Sequence, residues 1–171
     1  MKIKVHEVCL YGILGALTFA LKLIMAPLPN IEPVSLLLIV YTIVFGFKAM
    51  YPLIIYVILE ILTYGFGIWS VGYIYIWAIF VIIIRSIYSI KCSLNTILWA
   101  TISGLYGLIV GMLYIPLYVI TSDTTTAIVW WISGIPYDIT HSISNFIICL
   151  IMFKPITNLF FALNRRYKLI K

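Results

Sequence analysis

Residues 127–153 read AIVWWISGIPYDITHSISNFIICLIMF. The run exceeds the roughly 20 apolar residues that an α-helix needs to cross a hydrocarbon core, and it sets the reading of the whole chain as a helical membrane protein. Within it Trp131, Gly134, Asp138, His141 and Asn145 recur at steps of three and four, which return to one helix face. A carboxylate and an imidazole facing lipid cost kilocalories per mole, so this face is expected to meet protein or a water-filled cavity.

The rest of the chain agrees with a membrane setting. Of 171 residues 64% are hydrophobic and 9% are charged. A water-soluble domain needs about a quarter charged residues to cover its surface. The apolar runs are long and continuous, unlike the alternating strands of a β-barrel. The length suits one helical domain over residues 1–171, and no cleavable leader is expected before the first run. The net charge of +6 is spread over short loops and tails rather than gathered on one face, which argues against nucleic acid. Cys9, Cys92 and Cys149 lie far apart with no CxxC spacing, so neither a metal centre nor a disulfide framework is implied.

Six transmembrane helices are expected: Val8–Ala26, Val34–Phe47, Met50–Phe66, Tyr73–Ile90, Ile97–Ile120 and Ala127–Phe153. Pro33 and Pro52 fall where helices begin, and Pro136 is expected to kink the last span. Lys2, Lys4, Lys48, Arg85, Lys91 and the basic tail from Lys154 all fall on one side. The opposite loops carry Glu32 and Asp123 and no Lys or Arg. The positive-inside rule therefore makes both termini cytoplasmic. Lys22, near the outer end of the first span, is the exception and reads as a snorkelling side chain.

Three groups of residues carry chemistry. Gly12, Ala16 and Ala20 form a ladder of small residues on the first span, which suits close approach of another helix, inside this bundle or on a partner. The stripe on the last span places Asp138 ~16 Å along the helix from Ala127, near mid-depth. Glu60, with Tyr64 one turn later and Trp69 in the following loop, is a third polar group that needs a partner, a proton or a ligand. With Asn30 and Glu32 these converge on the outer half of the bundle. Aromatic faces with a few polar groups describe a pocket for a planar organic molecule. Because the acids apart from Glu7 lie outward or at mid-depth and nearly all bases inward, a neutral or cationic ring fits better than an anion.

Six spans with cytoplasmic ends, a short chain and Ala16-x-x-x-Ala20 resemble the S component of energy-coupling factor (ECF) transporters, the membrane subunits that capture micronutrients in prokaryotes. The segments LPNIEPV (28–34) and GIPYDITHSISNF (134–146) look like segments of such subunits. The resemblance implies a pocket open to the outside, with residues Pro27–Pro33 as its lid. It implies docking of the Ala16/Ala20 face on a membrane coupling protein, and ATP hydrolysis by two cytoplasmic ATPases. No cofactor is expected in this chain, which has no G-x-x-x-x-G-K-[ST] loop. Suitable cargo would be a queuosine precursor, a thiamine-like compound or a cobalamin fragment. The competing functions are a stand-alone proton-coupled carrier using Glu60 or Asp138, and an intramembrane enzyme. Carriers commonly show internal repeats, which this chain lacks. Against the enzyme, His6 is the only histidine besides His141, and no catalytic or metal-ligand spacing is present.

Overall fold

The computed structural model describes residues 5–91 and 94–167, so Lys2, Lys4, Cys92 and residues 168–171 lie outside the described residues. The described chain is all-helical: α1 (Val5–Met25), α2 (Val34–Phe45), a 3-10 turn (Gly46–Ala49), α3 (Met50–Tyr64), α4 (Ile68–Lys91), α5 (Thr96–Thr121) and α6 (Thr124–Tyr167). Five segments are long and apolar enough to cross a membrane: α1, the stretch Val34–Tyr64, α4, α5 and α6.

The stretch from Val34 to Tyr64 is a reversal rather than one rod. Lys48, in the 3-10 turn, pairs with Glu7 at the start of α1. At the other end of α1, Lys22 reaches both Glu32, just before α2, and Glu60, near the end of α3. Hence α2 runs antiparallel to α1 and α3 runs back beside it. Gly46 makes the turn possible with φ +62°, a conformation costly for residues with a Cβ. At 1.5 Å per residue α2 and α3 are ~18 and ~22 Å long, short of a ~30 Å core, which is why only their sum reaches crossing length.

The remaining helices continue the alternation. The ring of Trp69 in α4 meets Tyr64 at the end of α3, and Tyr88 near the other end of α4 meets Trp99 at the start of α5. Tyr118 at the end of α5 stacks on Trp130 at the start of α6, and Phe160 of α6 returns to Tyr41 and Phe45 of α2. Six helices thus run up and down between a Lys48 end and a Lys22 end. Val5 and the late turns of α6 both belong to the Lys48 end.

Several boundaries differ from the sequence reading. The expected polar loop Thr121–Thr126 shrinks to Ser122 and Asp123, because Asp123 caps α6. Its Oδ1 accepts the Thr126 N–H at 2.9 Å and its Oδ2 the Thr126 hydroxyl at 2.6 Å. Those hydrogen bonds hold the Asp123 carboxyl below its ordinary pKa. The fourth helix starts at Ile68 rather than Tyr73, and α6 runs past Phe153 to Tyr167, helical through both Pro136 and Pro155.

Two packing devices position the site. The first is α2, apolar on every side and buried from Val34 to Ile43, as a helix without a polar face must be. It forms the centre around which the other helices lie. The second is a glycine row on α5. Gly104 faces Phe146, Gly107 faces His141 and Asn145, and Gly111 faces Asp138, all on α6. A Cβ on Gly107 would stand 3.0 Å from the His141 carbonyl, and one on Gly111 would overlap the Asp138 carboxyl. In lipid, where apolar contact is not rewarded by water release, such close backbone approach is what joins helices.

Candidate functional site

A cavity of about 510 Å³ opens at the Lys22 end between α4, α5, α6 and the α1–α2 loop. Five of the residues expected to bind a ligand line it: Asn30, Glu32, Trp69, Asp138 and His141. The volume is within the range that holds small organic ligands. Much of its wall is aromatic, from Tyr73 and Trp77 on α4 through Tyr114 and Tyr118 on α5 to Trp130 and Tyr137 on α6. Helical geometry brings these rings together: residues 69, 73, 76 and 77 share a face of α4, and 110, 111, 114 and 118 a face of α5. Tyr114 lies so close over Gly72 that a Cβ there would overlap its ring, and its hydroxyl donates to the Trp69 carbonyl at 3.0 Å.

Glu60 and Tyr64 do not reach this cavity. They line a second one, about 300 Å³, together with Lys22 and Ala26, and Trp69 and Tyr73 form the partition between the two. Lys22 does not snorkel away from the bundle. Its Nζ donates to Glu60 Oε2 at 2.8 Å and to the Tyr73 hydroxyl at 3.1 Å, and it lies 4.7 Å from the centre of the Tyr73 ring. The same ammonium stands 3.9 Å from Glu32, whose other oxygen is 3.6 Å from His141 Nε2. A charge chain Glu60–Lys22–Glu32–His141 therefore crosses the end of the bundle and ties four segments together. Burial by itself would raise the Glu32 carboxyl, but His141 and Lys22 beside it hold it below the ordinary value.

The α1–α2 loop is fastened across the cavity by α6. Ser144 Oγ donates to the Asn30 carbonyl at 2.9 Å, one turn from the His141–Glu32 contact. Asn30 takes the left-handed conformation, φ +58°, which a short polar side chain tolerates.

Asp138 Oδ1 accepts the Gly111 N–H at 3.2 Å, whereas its Oδ2 is buried with no hydrogen-bond partner. Trp77 Nε1 is likewise buried without one, whereas His141 Nε2 has the Glu32 oxygen at 3.6 Å. Buried polar groups are ordinarily satisfied, so two such groups beside one cavity mark where a ligand or water would engage. No cluster of three or more His, Cys, Asp or Glu side chains able to hold a metal occurs among the described residues.

The stripe is displaced from the reading by a fraction of a turn. At roughly 100° per residue, Trp130, Gly134, Tyr137 and His141 centre the lining face of α6. Trp131 falls at its edge and Asn145 one turn deeper than His141, and neither lines the cavity. Asn145 is 1% exposed, lies against Gly107, and has neither side-chain atom hydrogen-bonded. Sequence reasoning also missed the glycine row on α5, although Gly104, Gly107 and Gly111 carry the small-residue spacing that signals close helix packing. On α1 it is Gly15 that packs inward, against Ile55 and Pro52 of α3, while Ala16 and Ala20 are exposed and Gly12 has open space beside it.

No known protein family, curated protein or solved structure matches the chain.

Proposed function

We propose that this chain is the substrate-capturing S component of an ECF-type transporter, a multi-pass protein of a prokaryotic cell membrane. One observation carries the reading: an aromatic cavity at one end of the bundle, with Asp138 Oδ2 and Trp77 Nε1 buried beside it without a hydrogen-bond partner among the described residues. A small planar micronutrient, neutral or cationic, is the class of molecule such a cavity suits.

The distribution of charge supports the orientation. Lys48, Arg85, Lys154, Arg165 and Arg166 belong to the end opposite the cavity, and Lys22, the basic residue at the cavity end, is neutralised by Glu60 and Glu32. By the positive-inside rule the cavity then faces outward and both termini are cytoplasmic, with α2 and α3 as short spans among six. The clasped α1–α2 loop is the lid. The exposed face bearing Ala16 and Ala20 is the surface for a membrane coupling protein, and two cytoplasmic ATPases supply the energy. This chain itself performs no chemistry on the cargo.

Co-purification from native membranes tests the reading. An ATPase pair and a second membrane subunit should accompany the tagged chain, with ATP-dependent uptake in vesicles holding the whole assembly. Uptake by this chain alone, driven by a proton gradient, would instead establish the stand-alone carrier.

A further inference from the structure

The charges around the cavity do not balance, and the imbalance is local. Glu60 is matched by Lys22. Glu32 lies between Lys22 and His141. Asp138 has no Lys, Arg or His nitrogen within ion-pair distance among the described residues, since His141, one turn further on, reaches Glu32 instead. Asp138 lines the cavity and is 9% exposed, with Oδ1 occupied by the Gly111 N–H and Oδ2 a buried acceptor without a hydrogen-bond partner, packed beside Gly111. Gly111 is required for that placement, because any Cβ there would overlap the carboxyl.

We propose that the cavity takes a planar organic monocation of the amidinium type, with an N–H on the Asp138 carboxylate and its ring among the aromatic side chains. This rests on the reading of the cavity as a capture site. A carboxylate facing such an edge gains a charge-assisted hydrogen bond, and aromatic faces attract delocalised cations further. An anion would meet an unpaired carboxylate, and a neutral ring would leave that carboxylate buried without its counter-charge. The position within the cavity follows as well. Lys22 already sits over the Tyr73 ring, so a second cation is disfavoured there and is directed toward Asp138, Trp77 and Trp130. Trp77 Nε1, a donor without a partner, would meet an acceptor elsewhere on the ring system. Asp138 is then the residue that selects charge.

Three probes of nearly equal shape isolate the charge: benzamidine, benzamide and benzoate. Each is titrated against the full-length purified protein with tryptophan fluorescence as the readout, since Trp69, Trp77 and Trp130 line the cavity. Benzamidine should bind at least tenfold more tightly than benzamide, with benzoate weakest. In Asp138→Asn the preference should fall below twofold. Equal or tighter binding of benzamide by the unaltered protein overturns the proposal but leaves the capture site standing, and so does a preference that survives Asp138→Asn. Binding of none of the three overturns both. The three-probe comparison on the unaltered protein decides the matter even if Asp138→Asn fails to fold.

Discussion

Lys22 shows how one residue can change meaning between sequence and structure. On the first span it reads as a stray base near an interface, yet it joins α1 to α3, α4 and the α1–α2 loop through Glu60, Tyr73 and Glu32. Glu60 is 2% exposed, so Lys22→Met strands a buried charge. We expect a loss of about 3–5 kcal/mol, the usual range for breaking a buried pair, read as a lowered thermal midpoint in detergent. The double variant Lys22→Met/Glu60→Met should recover most of it, and a double variant no more stable than the single one would refute the pairing. Glu32 gives a pH signature. Its carboxyl is held below its ordinary value of 4.5, so its contribution is fully present above that value and is lost as pH falls through the lowered one. The stability advantage of the parent over Glu32→Gln should therefore shrink toward zero on acidification below about pH 4.5.

At the scale of elements, α5 and α6 form the closest pair in the bundle, and glycine is the reason. Gly107→Ala pushes a methyl to 3.0 Å from the His141 backbone, which must move because a carbonyl on a helix cannot rotate away. A destabilisation of about 1–3 kcal/mol is expected, as for other overpacked sites. The same shift should weaken ligand binding, since His141 lines the cavity. Gly12→Ala, with open space beside it, should change neither. Equal effects at the two positions would contradict the assigned packing.

At the scale of the whole molecule, the question is which end faces which compartment and what covers the exposed face of α1. In a cysteine-free background, Thr125→Cys should react with a membrane-impermeant maleimide on intact cells, and Leu94→Cys only after permeabilisation. The reverse pattern would invert the proposed orientation. Ala16→Trp/Ala20→Trp places bulk on an exposed face, so the bundle and its cavity should persist while co-purification of partner subunits falls at least tenfold. Retained assembly would remove that face from the docking surface.

Composition and hydropathy by themselves determined that the chain is helical and suited to a bilayer, because a sequence with 9% charged residues has no other way to satisfy its surface. The period of the last long run also singled out Asp138 and His141, since polar residues on an apolar helix stand out against their neighbours. The partners of those residues were not legible. That His141 faces Glu32, that Lys22 neutralises Glu60, and that Asp138 keeps one oxygen unpaired depend on how six helices are rotated against each other. The turn at Gly46 and the glycine row on α5 set those rotations. A helix period defines a face only to within part of a turn, which is why Trp130 lines the cavity and Trp131 does not. Only close packing between backbones decides which edge of that face is turned toward the ligand.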